Sequence, residues 1–295
     1  MTIHLRVAAA RETLVRAGIA REEAELDARL LAEFVLGWTT ERYFVDANLS
    51  PPADFEAHFD SLIARRASRE PFAYIVGCQE FWGLRFHVTP SVLIPRPETE
   101  LIVEAAVELI GSGSAARIAD IGTGSGCVAI AIARERPAAT IVATDSSDEA
   151  LAIALQNAVE HDVASRITFI RADLLDALTN YRPHPQPASA VELFDLIVSN
   201  PPYVPEAERA GIQPEVRYEP PGALFAGTDG LDVIRRLMPP AAARLKASGA
   251  LVFEFGFGQA TAVEGLISAS AGVTMVELRR DLQGIPRIAI ARRRT

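Results

Sequence analysis

The sequence predicts an α/β protein in which a small helical domain precedes a larger domain built on a seven-stranded, mostly parallel sheet. Strand-like and helix-like segments alternate after about residue 117, which is the pattern of a parallel sheet. The last two strand candidates are separated only by Leu282-Gln283-Gly284-Ile285. So short a connection can join only antiparallel strands. The first 76 residues, in contrast, show helical patterns.

The predicted N-terminal domain covers residues 1–76. Leu26, Leu30 and Phe34 recur at helical spacing, and Gly37 follows them as a stop signal. Ser50-Pro51 has the form of an N-cap followed by proline at the first helical position, so we expect a further helix to begin there. Because this domain carries no recognisable catalytic pattern, we expect it to recognise the substrate.

Three arginines, Arg65, Arg66 and Arg69, lie at the far end of that helix. One explanation is the helix dipole, which favours cations at a helix C-terminus. The other is a surface for a negatively charged partner. The sequence leaves both explanations open.

Residues 77–97 are predicted to form a hairpin linking the two domains, because apolar and aromatic residues alternate in Phe81-Trp82-Gly83-Leu84-Arg85-Phe86. The second domain covers residues 98–295 and opens with Glu98-Thr99-Glu100 and a helix at 101–110. Its strands are predicted at 117–121, 140–145, 167–172, 194–200, 250–256, 273–281 and 286–293. Its further helices are predicted near 126–136, 148–161, 230–247 and 259–269. The proline-rich stretch 179–190 is predicted to be a solvated loop.

The composition is that of a globular protein with room for a large core, since 49% of the 295 residues are hydrophobic and 23% are charged. The net charge of −9 argues against a protein that binds many phosphates, so we expect no direct nucleic-acid contact. Cys78 and Cys127 lack metal-ligand spacing and the five histidines are scattered, so we expect no metal site and a reducing compartment. Because no signal peptide or membrane-spanning run is recognisable, we expect a cytoplasmic protein that does not associate with membranes.

The stretch with the most specific chemistry is Asn200-Pro201-Pro202-Tyr203. It follows the apolar run 194–198, and the prolines cannot continue a strand ladder, so the strand must stop at Asn200. The Asn200 side-chain oxygen and the Pro201 carbonyl oxygen can each accept one N–H from a planar NH2 group, against which the Tyr203 ring can pack. A proline-rich strand exit with a capping asparagine would explain the same residues, so the rest of the chain must decide.

A cofactor site is predicted at the ends of the neighbouring strands. The first strand runs into Gly122-Thr123-Gly124-Ser125-Gly126 and a helix, and such a turn lets a ligand approach free backbone N–H groups. The second strand ends in Asp145, where an acid binds ribose hydroxyls. The third ends in Asp173-Leu174, an acid and an apolar side chain that can flank an adenine. Four consecutive strand ends therefore indicate S-adenosyl-L-methionine, with S-adenosyl-L-homocysteine as its product.

The predicted cofactor contacts are Asp120, Gly122, Thr123, Gly124, Ser125, Gly126, Asp145, Asp173, Leu174 and Asn200. The pattern is not the dinucleotide fingerprint, because Cys127 stands where that motif needs its third glycine. A parallel sheet that ends in one antiparallel hairpin is also the outline expected for the methyltransferase variant of the doubly wound (Rossmann-like) fold.

Further motifs extend along almost the whole chain. They are Phe81-Trp82-Gly83, Leu93-Ile94-Pro95-Arg96-Pro97-Glu98-Thr99-Glu100, Tyr218-Glu219-Pro220, Gly227-Thr228-Asp229-Gly230-Leu231 and Asp281-Leu282-Gln283-Gly284-Ile285-Pro286-Arg287. Together with the glycine loop and the Asn-Pro-Pro-Tyr stretch, and in their order along the chain, they resemble the PrmC/HemK family of peptide chain release factor glutamine methyltransferases.

The resemblance implies methylation of the side-chain amide nitrogen of the glutamine in the Gly-Gly-Gln loop of bacterial class 1 release factors. It implies Asn200 and Pro201 as acceptors for that amide and Pro202 and Tyr203 as pocket walls, with Phe81 and Arg96 nearby. We expect the release factor to be the partner and the enzyme to be a monomer. The alternatives are a glutamine of a ribosomal protein, an exocyclic NH2 group of a nucleic acid, and a nucleoside-binding scaffold without turnover.

Overall fold

The structure is a computed structural model, and it describes residues 1–179 and 193–294. It consists of two compact units. The first contains residues 1–78 together with Gln213–Tyr218, and the second contains Gln79–Ile212 and Glu219–Thr295. The stretch 179–190 that we predict to be a loop lies, except for Thr179, outside the described residues.

The first unit is a helical bundle. Its helices are α1 (Ile3–Arg16), α2 (Arg21–Leu36), α3 (Thr40–Asp46), α4 (Phe55–Ala67) and α5 (Phe72–Val76). Gly37 ends α2 in the left-handed conformation, as the stop signal predicts. The residues whose spacing indicates this helix are not its core face, however: Leu26 and Phe34 are about half exposed, whereas Ala28 and Leu31 face the core.

The predicted start of the fourth helix is also wrong. Helix α4 begins at Phe55 rather than at Pro51. Pro52 directly follows Pro51, and a residue before proline is pushed away from helical geometry, so the double proline delays the helix. Phe55 and Phe59 then stack in the core of the unit with their ring centroids 5.0 Å apart.

An ion-pair network holds the arginines at the end of α4, for which the sequence leaves open a helix-dipole effect or a surface for a negatively charged partner. Arg66 is 1% exposed and donates hydrogen bonds to Asp27 at 2.6 Å, to Glu23 at 2.7 Å and to Glu215 at 2.9 Å. Arg69 binds the same Glu215 carboxylate through two nitrogens. A buried arginine needs such partners to offset its desolvation. Arg66 is therefore a structural residue and not part of a surface for a negatively charged partner.

The second unit contains a two-stranded hairpin and a seven-stranded sheet within the described residues. The hairpin strands are β1 (Cys78–Phe81) and β2 (Leu84–His87), and α6 (Glu100–Leu109) follows. The sheet strands are β3 (Arg117–Ile121), β4 (Thr140–Asp145), β5 (Ile167–Arg171), β6 (Phe194–Ser199), β7 (Leu245–Glu254), β8 (Val273–Arg280) and β9 (Pro286–Arg293). The remaining helices are α7 (Cys127–Glu135), α8 (Asp148–Glu160), α9 (Asp232–Arg244) and α10 (Ala260–Ala269).

The predicted fold class is confirmed. The sheet has the order β5-β4-β3-β6-β7-β9-β8, and β9 runs in the direction opposite to the other six strands, so its pairings with β7 and β8 are antiparallel. Alternate residues of each strand face opposite layers: Ile118 packs towards α6, α7 and α8, whereas Ala119 packs towards α9 and α10. Both faces of the sheet are therefore buried, which explains the nearly continuous apolar strands.

Two predicted boundaries are wrong here, the end of the helix at 230–247 and the start of the strand at 250–256. The helix predicted at 230–247 ends at Arg244, and β7 begins at once at Leu245. Near the start of this strand Lys246 and Ser248 are polar, and an irregularity interrupts its pairing with β6. The pattern therefore lacks the apolar run that predicts a strand.

Candidate active site

The site lies where the strand order reverses. Strands β3 and β6 are adjacent and parallel, with Ile121 paired with Ser199, yet the chain continues from them towards opposite edges of the sheet. The loops that leave the two strands therefore diverge and open a crevice at their carboxyl ends, which is the usual ligand position in open α/β sheets. A cavity of about 310 Å³ occupies this position.

Ten of the predicted site residues line this cavity: Asp120, Gly122, Thr123, Gly124, Ser125, Asp145, Asp173, Leu174, Asn200 and Pro202. They come from the ends of four neighbouring strands, and the sequence predicts this convergence. Gly126, Pro201, Tyr203, Phe81 and Arg96 are not part of the lining.

The glycine loop has the backbone conformation that its composition predicts. Gly122 and Gly124 have φ angles of +74° and +54°, and a Cβ atom on either would meet no other atom within 4 Å. These two glycines thus keep the backbone bare towards the cavity. Gly126 differs, because a Cβ there would lie 3.1 Å from the Ala154 side chain and 3.2 Å from its Cα. It allows α7 and α8 to pack closely.

Two carboxylates fix this loop. Asp145 accepts hydrogen bonds from the backbone N–H groups of Gly124 at 2.9 Å and Ser147 at 3.0 Å. Asp120 is 2% exposed and accepts a hydrogen bond from the Thr123 hydroxyl at 2.7 Å. Burial raises the pKa of Asp120 to about 6, against the hydrogen bond from Thr123 that lowers it.

The third strand end is shaped by Leu174 and its neighbours. The Leu174 carbonyl oxygen accepts a hydrogen bond from the Thr144 hydroxyl at 3.0 Å, and its φ angle is +54°. Asp173 is exposed and forms an ion pair with Arg236, which also lines the cavity. No sequence motif indicated Arg236, because it comes from the amphipathic helix α9.

The Asn200 corner is held by two residues that the sequence analysis did not single out. The Asn200 side-chain nitrogen donates to the Thr99 hydroxyl at 3.0 Å, and this hydroxyl donates to Glu254 at 2.7 Å. The Tyr203 hydroxyl donates to the other oxygen of Glu254 at 3.0 Å. Thr99 belongs to a motif that we noted only for the resemblance. Glu254 could have been found as an acid that ends an apolar strand.

The same corner leaves two acceptor atoms free. Among the described residues, none donates a hydrogen bond to the side-chain oxygen of Asn200 or to the carbonyl oxygen of Pro201. The carbonyl oxygen of Tyr203, in contrast, accepts one from Gln259 at 2.9 Å. Burial and the neighbouring Glu254 raise the pKa of the Tyr203 hydroxyl, so it stays protonated at neutral pH.

Phe81 and Arg96, which the resemblance implies near the site, do not line the cavity. Phe81 is 1% exposed and packs against Phe86 in the core, so it cannot contact a substrate in this structure. Arg96 pairs with the buried carboxylate of Glu219, which also accepts a hydrogen bond from the backbone N–H of Ile94 at 3.0 Å. Because the next residue, Pro220, lines the cavity, Arg96 supports the wall rather than forming it.

The described residues contain neither a metal centre nor a membrane-spanning helix. No group of His, Cys, Asp or Glu side chains there could hold a metal ion. No helix within the same ranges is long and apolar enough to span a membrane.

Comparison with known proteins agrees with this architecture. A family model described as "PrmC N-terminal domain" matches residues 7–77, and one described as "Methyltransferase small domain" matches residues 98–214. Among solved structures, the hMettl16 catalytic domain in complex with MAT2A 3′UTR hairpin 6 is similar in fold. It has a TM-score of 0.54 and 19% identity and covers 78% of this chain and 81% of that one. The fold and the site thus define a Rossmann-like methyltransferase.

The curated relatives specify the family. The release factor glutamine methyltransferase of Geobacter sulfurreducens is 43% identical over 90% of this chain and 89% of that protein. Its counterpart from Nitratidesulfovibrio vulgaris is 42% identical over 92% and 91%. The chain belongs to the release factor glutamine methyltransferase family.

Proposed function

We propose that the protein transfers a methyl group from S-adenosyl-L-methionine to the side-chain amide nitrogen of the glutamine in the Gly-Gly-Gln motif of bacterial class 1 release factors. The observation that carries this proposal is the pair of free acceptors at the Asn200 corner, beside a cavity whose walls suit a nucleoside. The names of the curated relatives support the same substrate.

The acceptor chemistry follows from the hydrogen bonds that an amide can make. A carboxamide NH2 group has two donors and a lone pair that is delocalised into its carbonyl group. The Asn200 side-chain oxygen and the Pro201 carbonyl oxygen can each accept one N–H, which orients the nitrogen and stabilises the positive charge that it develops. Such orientation can lower a reaction barrier by roughly 7–11 kcal/mol. The methylated nitrogen then loses a proton readily, so the site needs no strong base.

The residues around the cavity fit S-adenosyl-L-methionine. The bare backbone of Gly122 and Gly124 would receive its amino acid part, the Asp145 carboxylate its ribose hydroxyls, and Asp173 with Leu174 its adenine. The volume of about 310 Å³ is at the lower end of the range for small-molecule sites. When bound, the cofactor supplies an activated methyl group on a sulfonium.

The helical unit is proposed to recognise the release factor. It exposes large apolar side chains, with Phe44 72% and Val45 78% accessible to solvent. Exposed apolar groups of this size often mark protein-binding surfaces. We further propose that the enzyme acts in the cytoplasm as a monomer, on protein rather than nucleic acid.

The test is incubation of the purified protein with methyl-labelled cofactor and three candidate substrates: a release factor, a ribosomal protein mixture and duplex DNA. We expect label in the release factor at its Gly-Gly-Gln glutamine. The Asn200→Ala variant is the control for a contaminating activity. Label in the ribosomal protein or in DNA, with none in the release factor, would contradict the proposal.

A further inference from the structure

The side-chain amide of Asn200 is the end of a buried hydrogen-bond chain. Its nitrogen donates to the Thr99 hydroxyl, which donates to Glu254, and the hydroxyl of Tyr203 donates to the second oxygen of the same carboxylate. Thr99 is 2% exposed and Glu254 is 1% exposed. Water therefore has little access to exchange partners with these groups.

The number of protons available within this hydrogen-bond chain determines the orientation of the Asn200 amide. An ionised carboxylate can only accept hydrogen bonds, and a threonine hydroxyl has a single proton. Because Glu254 takes that proton, the Thr99 oxygen can only accept from its other neighbour. The NH2 group of Asn200 must therefore face Thr99. Its side-chain oxygen is then the amide atom left for the cavity that Asn200 lines.

We propose that Thr99 and Glu254 are positioning residues that hold the Asn200 oxygen towards the substrate and so make the site selective for an NH2 acceptor. This inference rests on the proposed function. A glutamine amide brings two donors to the two acceptors of the corner, Asn200 and Pro201. A glutamate carboxylate brings only acceptor atoms and is repelled. If the Asn200 side-chain amide rotated by 180°, it would present its NH2 group to the substrate and would favour the carboxylate instead.

The ionised state of Glu254 is the condition for this arrangement. Burial raises the pKa of Glu254, while the hydrogen bonds from Thr99 and Tyr203 lower it; the charges that act on it are Glu98, which raises the pKa, and Arg287, which lowers it. A protonated Glu254 could donate to Thr99, which would free the threonine proton for the Asn200 oxygen. Turnover should therefore fall on the acidic side as Glu254 takes up its proton.

The test compares Thr99→Val, which removes the hydroxyl, with the matched control Thr99→Ser, which keeps it. The substrates are a release factor and the same factor with glutamate in place of the Gly-Gly-Gln glutamine. We expect Thr99→Val to lower kcat by at least about tenfold. The loss should stay below the roughly 10²–10³-fold cost of removing a transition-state hydrogen bond altogether. Inhibition by the glutamate factor should become at least about tenfold stronger. Thr99→Ser should stay within about threefold of the wild type in both respects.

A second measurement separates this inference from the proposed function. In protein labelled with ¹⁵N-asparagine, the Asn200 side-chain proton that is bonded to Thr99 should exchange slowly in the wild type and in Thr99→Ser, but rapidly in Thr99→Val, with no substrate present. If Thr99→Val does not fold, Glu254→Gln is used instead. A glutamine amide can donate to the Thr99 hydroxyl, so the Thr99 proton is no longer held in the hydrogen bond to residue 254. We expect the same loss of protection and no acidic fall in turnover.

Two outcomes overturn the inference. One is a Thr99→Val enzyme with wild-type kcat that still rejects the glutamate factor. The other is an Asn200 amide whose exchange rate is the same in all variants. A wild-type protein that methylates no release factor would refute the proposed function instead. The exchange rates would still decide whether the hydrogen bonds through Thr99 and Glu254 orient Asn200.

Discussion

Glu215 offers a quantitative test of the ion-pair network in the helical unit. Burial raises the pKa of this carboxyl, but the hydrogen bonds from Arg69 and Arg66 outweigh burial and bring it to about 2, against an ordinary value of 4.5. At roughly 1.4 kcal/mol per pKa unit, this difference corresponds to about 3 kcal/mol of folding free energy. Because the side chain is only 17% exposed, solvent screening reduces this value little.

The sign of the pH dependence follows from the direction of the shift. A carboxyl whose pKa is lowered by folding stabilises the protein above its unfolded pKa and loses that contribution as the pH falls through the folded one. Glu215→Gln should therefore cost about 3 kcal/mol at pH 7. The difference from the wild type should narrow from about pH 4.5 and vanish near pH 2.

The assay is urea unfolding followed by tryptophan fluorescence. The chain has two tryptophans, so in a Trp82→Phe background only Trp38, in the helical unit, reports. The matched control is Glu12→Gln, which removes an exposed ion pair with Arg21 in the same unit and should leave the midpoint unchanged. Equal unfolding midpoints and slopes for Glu215→Gln and its parent at pH 7 would refute the reasoning.

Three further predictions concern the site. Asn200→Ala should lower kcat by about 10²–10³-fold while cofactor affinity in calorimetry stays close to wild type; near-normal turnover would show that the acceptor is assigned wrongly. Asp145→Ala should weaken cofactor binding by about tenfold or more, since a hydrogen bond to a charged group is worth roughly 1.5–3 kcal/mol, and an unchanged Kd would argue against contact with the ribose. Asp120→Asn should remove a pH dependence of stability. Burial raises the pKa of Asp120 to about 6 from 3.8, so the free energy of unfolding of the wild type should fall by about 3 kcal/mol as the pH rises through this interval. Urea unfolding measures this change, and an equal fall in the variant would contradict the role of burial.

The strands of the sheet could be predicted because each is a short apolar run that ends at a turn signal. Asn200 follows such a run, and the two prolines after it leave no choice of boundary. Since parallel strands end at one edge, the sequence alone also places the glycine loop, Asp145, Asp173 and Asn200 near one another. The order of the strands is what makes the glycine loop and Asn200 direct neighbours.

Other features depend on contacts between distant parts of the chain, which local patterns do not encode. The buried face of α2 combines the small residues Ala24 and Ala28 with Leu31, while Leu26 and Phe34 remain about half exposed. Glu215 lies 149 residues after Arg66, and nothing in either local sequence predicts their contact. The role of Thr99 is hidden in the same way, because its partners Asn200 and Glu254 come from two other segments.

Hydrogen bonds and one close backbone contact connect the Asn200 corner to the residues that follow β7. Gln259 donates hydrogen bonds to the carbonyl oxygens of Tyr203 and Asp229 and accepts one from the backbone N–H of Gly256. A Cβ atom at Gly230 would lie 2.1 Å from the Tyr203 carbonyl oxygen, so only glycine permits this approach. The exit of β6 is thereby fastened to the residues that follow β7. Because the protein itself makes these hydrogen bonds, we expect the corner to hold the two proposed acceptor atoms in place without a substrate. It should therefore need no reorganisation when a glutamine binds.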